Sequence, residues 1–169
     1  MAKSKKVTYE KAWYAVAVAR VLLGLVFLWA FFDKAFGLGF ATKSDTAWIV
    51  GGSPTSGYLD RGINPESPLF GFFNNLAGQP WVDWLFMLGL LGIGSALVLG
   101  IGLRIAAVAG TTLLVLMWAS ALPLENNPVI DDHLVYASVL WIAALAPRKW
   151  SLANRWLAVD YVKKNSWLW

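Results

Sequence analysis

Cysteine is absent from this chain of 169 residues, and histidine occurs only once. The absence of cysteine excludes a disulfide framework, a CxxC redox pair, iron–sulfur ligation and c-type haem attachment. A single histidine excludes a bis-histidine haem within one chain, and zinc sites usually need several Cys and His ligands. The sequence therefore predicts no haem, no iron–sulfur cluster, no zinc and no other metal site.

Charged residues are also scarce. Only 14% of the residues are charged, against about 25% in a typical soluble domain, and 58% are hydrophobic. Eleven tryptophans and nine phenylalanines add to the apolar content. This composition indicates an integral membrane protein whose main partner is the lipid bilayer. The net charge of +4 lacks the pattern of a nucleic-acid-binding surface and suits membrane orientation instead.

Four apolar runs predict four membrane-spanning helices, at about residues 13–36, 81–101, 105–122 and 130–147. A helix needs roughly 20 residues to cross a hydrocarbon core of about 30 Å. The first run is too long for the apolar part of a signal peptide, so it is expected to be a retained span. Since only Gly102–Arg104 separates the second run from the third, these two should form an antiparallel hairpin. The predicted fold is an all-α membrane protein, a four-transmembrane-helix bundle forming a single domain over 1–169.

The remaining segments are an outer loop at 37–80 and a tail at 148–169. In the loop, Ser67 is a suitable N-cap, Pro68 a suitable first helical residue and Gly78 a suitable stop, which predicts a short helix. The tail mixes aromatic residues with arginine and lysine. It is therefore expected to form an amphipathic helix on the membrane surface.

Small residues recur at helical spacing in the second and third runs. They are Gly92, Ala96 and Gly100 in the second run and Ala106 and Gly110 in the third. Because small residues let helix backbones approach closely in lipid, this pattern predicts tight helix packing.

Basic residues are unequally divided between the two ends of the predicted bundle. Four spans place both termini on the side of the turn at Arg104. That side carries ten basic and two acidic residues: Lys3, Lys5, Lys6, Lys11, Arg104, Arg148, Lys149, Arg155, Lys163, Lys164, Glu10 and Asp160. The opposite side carries three basic and eight acidic residues: Lys34, Lys43, Arg61, Asp33, Asp45, Asp60, Glu66, Asp83, Glu125, Asp131 and Asp132. The positive-inside rule then predicts a multi-pass protein of the cell membrane with both termini cytoplasmic.

Ionisable residues within the spans are functional candidates because they are costly to place in lipid. One helical stripe of the first span contains Arg20, Gly24, Phe27, Phe31 and Lys34. Arg20 can alternatively extend towards the lipid headgroups, and Lys34 can pair with an outer carboxylate. Asp83 opens the second span, where an acid also complements the helix dipole.

The stretch NPVIDDHLVY, residues 127–136, places two aspartates beside the only histidine. Either Asp131 or Asp132 can cap the fourth span. His133 and Tyr136 share a helical face and should point into the bundle, where the imidazole can donate or accept a proton. The alternative is an interfacial histidine with a purely structural role.

Two motifs and a hairpin follow one another along the chain. They are R-x3-G…DK-x2-G (Arg20, Gly24, Asp33, Lys34 and Gly37), a glycine-rich span–turn–span unit, and NP-x2-DDH-x2-YA (Asn127 to Ala137). In this order they resemble the DoxX/DoxD family, most closely its DoxD-like branch, over almost the whole chain. The resemblance implies a four-helix membrane protein, and DoxD-like members are identified as the large subunit of thiosulfate:quinone oxidoreductase.

The resemblance implies a membrane subunit of a quinone-linked oxidoreductase that oxidises thiosulfate or another reduced sulfur compound at the outer face. Such chemistry needs cations for the anion, an aromatic slot for a transiently bound quinone and a proton donor. The candidates for binding the anionic substrate are Lys34 and Arg61, with Asp83 and Tyr136 beside them. The candidates for the quinone slot are Trp29, Phe31 and Trp118. The candidates for proton transfer are Asp132 and His133, and Lys34 completes the catalytic group.

The main alternative is a non-enzymatic membrane anchor, scaffold or assembly subunit of a larger complex. Both hypotheses expect another protein subunit or a homo-oligomer as partner. The enzyme hypothesis predicts an enclosed outer pocket containing Lys34 and His133, because the acidic outer face would repel a dianion from an open site. The scaffold hypothesis predicts wide apolar patches instead, and a small-solute transporter is disfavoured because four spans leave little room for a pathway.

Overall fold

The computed structural model describes residues 10–124 and 127–168, with the side chain of Arg61 outside the described part. The helices are α1 (Glu10–Phe36), α2 (Ser56–Arg61), α3 (Phe70–Asn74), α4 (Pro80–Leu99), α5 (Leu103–Ser120), α6 (Asp132–Leu145), α7 (Ala153–Ala158) and α8 (Asp160–Lys164). Three 3-10 turns lie at Ser44–Thr46, Trp48–Val50 and Ser166–Leu168. No strand occurs in these residues, which confirms the all-α prediction.

Three of the described helices, α1, α4 and α5, are long and apolar enough to cross a membrane. The fourth, α6, is apolar but has only 14 residues. At 1.5 Å per residue it measures about 21 Å, less than a hydrocarbon core of about 30 Å. It starts after the cap at Asp131 and ends before Pro147, because a residue that precedes proline is pushed towards extended backbone, as Ala146 is.

Four helices pack around one core: α1 on α4, α4 on α5, α5 on α6, and α6 back on α1. The buried centre includes Leu23, Phe27, Met87, Leu97, Leu114 and Leu140. The turn between α4 and α5 contains Gly100 and Gly102, both with left-handed backbone that glycine adopts without strain. The predicted antiparallel hairpin is therefore present. We call the end of the helices that carries residues 37–79 the loop end, and the end with this turn and the tail the basic end.

Helices α1 and α4 approach each other closely. A Cβ atom on Gly24 would lie 2.9 Å from Leu97 Cβ, and one on Gly94 would lie 2.8 Å from Leu28 Cγ. On α5, Gly110 makes the predicted close approach to α6, since its Cβ would lie 2.6 Å from Leu140 Cδ1. The same prediction is wrong for Gly92, whose Cβ would meet nothing within 4 Å because this residue faces outward.

Arg20 lies inside the molecule rather than at the lipid headgroups. Its side chain is buried, and its guanidinium donates to Leu97 O at 2.8 Å, Trp150 O at 2.7 Å and Lys149 O at 3.2 Å. Leu97 belongs to the last turn of α4, where unpaired carbonyls favour a cation. Arg20 therefore joins three segments at the basic end, and this accounts for a charge within the first span.

The loop and the tail are more finely divided than predicted. The short helix expected between Ser67 and Gly78 is α3, which is limited to Phe70–Asn74, while Ser67 Oγ accepts a hydrogen bond from the Leu69 N–H at 3.3 Å. The single helix predicted for the tail is instead α7, α8 and a 3-10 turn, interrupted at Val159 by extended backbone. A hydrogen bond from Trp156 Nε1 to Leu168 O, 2.9 Å long, folds the tail back on itself.

Candidate functional site

The turn before α6 is a rigid, hydrogen-bonded unit. The side-chain oxygen of Asn127 accepts hydrogen bonds from the N–H groups of Val129 and Ile130, both at 2.9 Å. This is the Asx-type turn that asparagine favours. Trp118 of α5 donates from Nε1 to Val129 O at 2.8 Å. A local asparagine turn and a contact from α5 therefore fix the chain that leads to the predicted proton-transfer group.

Asp131 is the cap of α6, which decides between the two aspartates. Its Oδ1 accepts hydrogen bonds from the backbone N–H groups of His133 at 3.1 Å and Leu134 at 3.4 Å. Asp131 has the extended backbone typical of an N-cap residue. Asp132 is the first helical residue and is exposed.

The same aspartate also holds the histidine ring. Asp131 Oδ2 lies 2.7 Å from His133 Nδ1, whereas Asp132 Oδ1 lies 3.6 Å away. His133 was expected to pair with Asp132, but the hydrogen bond is formed by Asp131, since the side chain of this cap residue reaches forward over the first turn. With Asp131 ionised, Nδ1 carries a proton and donates it to this carboxylate.

The other ring nitrogen of His133 remains available. Nε2 has no hydrogen-bond partner among the described residues, and the side chain is 20% exposed. A neutral imidazole with Nδ1 protonated presents Nε2 as an acceptor, and a protonated ring presents it as a donor. The Asp131–His133 pair is therefore arranged as an oriented acid–base group.

Metal binding by this cluster would compete with the helix cap. Asp131, Asp132 and His133 each offer one ligand atom, and the three atoms lie within 4.8 Å of one another. Both carboxylate oxygens of Asp131 are already bonded, one to backbone N–H groups and one to the ring. The absence of a metal site stays a prediction.

Lys34 is a partly buried cation near the loop end of α1. Its ammonium has no carboxylate within 4 Å and no hydrogen bond among the residues that the structure describes. The neighbouring Asp33 is occupied, because its two oxygens accept hydrogen bonds from Phe40 N at 3.2 Å and Ala41 N at 3.0 Å. The expected pairing of Lys34 with an outer carboxylate is therefore not observed. Lys34 lies in the last turn of α1, directly before the loop, and His133 lies in the first turn of α6, so both belong to the loop end.

Asp83 anchors the loop. Its buried Oδ1 accepts hydrogen bonds from Thr55 Oγ1 at 2.6 Å, Ser53 Oγ at 2.9 Å and Thr55 N at 3.0 Å. These contacts favour a structural role over the predicted substrate-binding role. Arg61, the other loop residue predicted to bind substrate, has its side chain outside the described part of the chain.

A third anchor was not predicted from sequence. Ser120 Oγ, at the end of α5, donates to Met117 O at 2.7 Å, so the hydroxyl of Tyr58 must donate to Ser120 Oγ across 2.9 Å. Loop residues Leu59 and Ile63 pack with Phe73 in a small core of their own. Nothing local in the sequence predicts these contacts, because they join the loop to a distant helix.

The predicted quinone-slot residues occupy different environments. Trp29 is 49% exposed and meets Phe40 edge to face at 5.0 Å, whereas Phe31 packs against the core. Two residues along a helix correspond to a rotation of about 200°, which puts them on different faces of α1. The Trp118 indole is hydrogen-bonded to the turn before α6. Tyr136 packs against the core, as expected for an inward-facing residue.

Replacing Asp83 with alanine is expected to release the loop from α4. The buried donors of Ser53 and Thr55 would lose their shared acceptor, at a cost of roughly 2–3 kcal/mol. Hydrogen exchange of peptides covering 53–61 should accelerate, while exchange in α5 stays slow. Asp45→Ala, at an exposed position in the same loop, is the matched control. Equal exchange in the two variants would contradict the anchoring role.

Comparison with known proteins gave no match: no family model fits the sequence, and no curated protein or solved structure is significantly similar.

Proposed function

We propose that the chain is an integral membrane subunit of a quinone-linked oxidoreductase in which Asp131 and His133 exchange protons with the quinone. The observation that carries this proposal is the 2.7 Å contact between Asp131 Oδ2 and His133 Nδ1, with Nε2 left without a partner in the described chain. A carboxylate that orients an imidazole also stabilises its protonated form, which is the arrangement used in acid–base catalysis.

The proton balance fits one histidine acting repeatedly. Reduction of a quinone to a quinol takes up two electrons and two protons. Imidazolium Nε2 donates one proton to a quinone oxygen, takes another from water, and donates again. The 20% exposure of the His133 side chain gives water access to the ring.

The proposed electron donor is thiosulfate or another reduced sulfur anion. Two thiosulfates joined into tetrathionate release two electrons and no proton, so the proton demand falls entirely on the quinone side. Lys34 supports this choice, because a partly buried ammonium without a carboxylate partner in the described residues can bind an anion. The resemblance of the sequence to DoxX/DoxD proteins supports the same substrate class.

We also propose that α6 completes a four-transmembrane-helix bundle with both termini in the cytoplasm. The neighbouring apolar residues Val129, Ile130, Ala146 and Pro147 would extend its length across the membrane. Charge supports the orientation: the basic end carries Lys11, Arg104, Arg148, Lys149, Arg155, Lys163 and Lys164 against Glu10 and Asp160. Such an excess of basic residues is typical of the cytoplasmic side.

A membrane anchor or assembly subunit is the second candidate. It is favoured by exposed apolar side chains in the loop, where Phe40 is 75%, Ile49 64% and Val50 62% exposed. Ile49 and Val50 are consecutive, and an exposed apolar patch of this kind is typical of a surface covered by lipid or by another protein. The two candidates differ in whether the isolated chain can reduce a quinone.

The direct test is thiosulfate-dependent reduction of a short-chain quinone by purified protein in detergent or nanodiscs. His133→Ala is expected to lower the rate by about 10²-fold, the lower end of general acid–base effects. Asp131→Asn keeps an effective helix cap but removes the carboxylate from the ring, so it should lower the rate without unfolding α6. Lys34→Ala should raise the KM for thiosulfate, and Lys43→Ala, at an exposed lysine of the loop, is the control.

Two results would contradict the proposal. Activity of His133→Ala equal to that of the wild type would remove the assigned proton donor. A wild type that is folded but inactive with several sulfur donors would favour the anchor or assembly role, and co-purification of a partner subunit should then follow.

A further inference from the structure

An open, almost wholly apolar groove lies at the basic end, between the second half of α4 and the folded-back tail. Its volume is about 270 Å³. The lining includes Gly92, Ala96, Leu99, Ile105, Trp156 and Leu168. From Gly92 to Leu99 the groove follows α4 for about 10 Å at 1.5 Å per residue, running from the α4–α5 turn towards the middle of the helix.

Two arginines lie at the end of α5 and α6 that borders this groove. Arg104 stands between Gly102 and Ile105, which both line the groove, and donates to Ser166 O at 3.1 Å. The Arg148 guanidinium has no hydrogen bond and no ion pair among the described residues. Burial, together with the nearby charge of Arg104, lowers the pKa of Arg148. The segment that follows Arg148 also reaches the groove, since the Leu152 N–H donates to the carbonyl oxygen of Leu99, a lining residue, at 2.9 Å.

The acidic residues of the basic end do not neutralise this pair. Glu10 contacts Lys149 at 3.4 Å, and Asp160 contacts Lys163 at 3.3 Å. Two neighbouring guanidinium groups without a carboxylate partner match the oxygens of a phosphate, which arginine binds through paired hydrogen bonds.

We propose that the groove and the Arg104–Arg148 pair form a binding site for one anionic phospholipid. The phosphate lies between the two guanidinium groups, and an acyl chain lies along α4 against Gly92, Ala96 and Leu99. A phospholipid has a negative headgroup attached to apolar chains, and this site has two cations next to an apolar groove. The headgroup and one chain can therefore bind side by side. Basic pockets between membrane helices bind anionic headgroups in this way. The site is at the end opposite to His133 and does not depend on the proposed redox function.

Gly92 and Gly89 give a matched pair for the test. A Cβ on either residue would meet nothing within 4 Å, so a larger side chain disturbs the core at neither position. Gly92 lines the groove and Gly89 is not among its lining residues. Gly92→Leu therefore fills the groove, whereas Gly89→Leu adds the same side chain one turn away on the same helix.

The experiment is native mass spectrometry of the full chain after exchange into equal amounts of phosphatidylglycerol and phosphatidylcholine. The wild type is expected to retain one phosphatidylglycerol in preference to phosphatidylcholine. Arg148→Gln should lower the retained phosphatidylglycerol by roughly fivefold, the effect of one cation near a membrane surface. Gly92→Leu should also lower it, because the added side chain fills the groove. Lys11→Gln, which removes an exposed cation from the same end, and Gly89→Leu should leave it unchanged.

Three outcomes would overturn the proposal. They are equal retention of the two lipids, equal losses in the control variants, and a lipid-free dimer that only Gly92→Leu dissociates. The last outcome would assign the groove to a second copy of the chain. Circular dichroism of Arg148→Gln separates a lost lipid from a lost fold, because the helical signal should equal that of the wild type.

Discussion

Replacing Arg20 with alanine is expected to destabilise the protein by about 3–5 kcal/mol, the scale of removing one partner from a buried charged network. The guanidinium donates three hydrogen bonds to carbonyls at the end of α4 and in residues 149–150. Without it these carbonyls lose their donor, and a cavity replaces a large buried side chain. Unfolding of the purified protein in mixed micelles, followed by tryptophan fluorescence, measures this effect.

Two controls separate the network from the charge alone. Arg104→Ala removes an exposed arginine with a single hydrogen bond and should cost less than about 1 kcal/mol. Arg20→Lys keeps the positive charge, but one ammonium cannot reproduce the planar geometry that reaches three carbonyls. The free energy of unfolding of Arg20→Lys should therefore lie between those of the wild type and Arg20→Ala. Equal stability of Arg20→Ala and Arg104→Ala would show that the network contributes little.

Replacing Gly24 with leucine is expected to be the second most disruptive change, costing about 3 kcal/mol through overpacking. Its Cβ alone would lie 2.9 Å from Leu97 Cβ and Val98 Cγ2, and 3.0 Å from the carbonyl oxygen of Gly94. A backbone carbonyl cannot move aside as a flexible side chain can, so α1 and α4 would have to separate. The loss should appear in the same unfolding measurement.

Gly89→Leu is the control for Gly24→Leu. It places an identical side chain on the neighbouring helix in open space, and leucine favours helix over glycine by nearly 1 kcal/mol. The control should therefore be at least as stable as the wild type. If Gly24→Leu were as stable as the control, the α1–α4 contact would have to adjust to the larger side chain at little cost in free energy.

Gly100 shows how one network constrains two positions. Its backbone is left-handed, which favours glycine, and a Cβ there would collide with the Arg20 guanidinium and with Ser151. From its spacing, Gly100 was predicted to belong to a stripe of small residues for helix packing. In the structure the residue ends α4 and leaves space for the arginine that holds this end in place.

Asp131 combines a helix cap and a contact to the His133 ring in one side chain. One oxygen caps α6 and the other orients His133, so a change at this position affects both the helix and the ring. This coupling is why Asp131→Asn is more informative than Asp131→Ala in an activity assay. Asparagine preserves the cap, and any loss of rate then reports on the ring.

The membrane-spanning helices could be predicted from sequence because they depend on local composition. A run of about 18 or more apolar residues is costly to leave in water wherever it lies in a fold. Helices α1, α4 and α5 were therefore predicted within a few residues of their observed bounds. The α4–α5 hairpin was equally local, since a three-residue turn with two glycines leaves few other geometries. The helix start near Asp131 was predicted, but the choice between two adjacent aspartates was not.

Tertiary contacts decided the rest. Arg20, Asp33 and Asp83 are charged residues whose partners lie 7 to 130 positions away, and no spacing rule links them. His133 was expected to pair with Asp132, yet ring orientation depends on backbone geometry at the cap, which only the folded turn fixes. The sequence by itself determined where apolar surface must be buried in lipid, because burial follows from composition. Only the tertiary structure decided which polar groups are hydrogen-bonded within the protein, because a hydrogen bond requires two particular atoms to meet. It also decided which groups have no partner in the described chain, such as Nε2 of His133 and the Arg148 guanidinium.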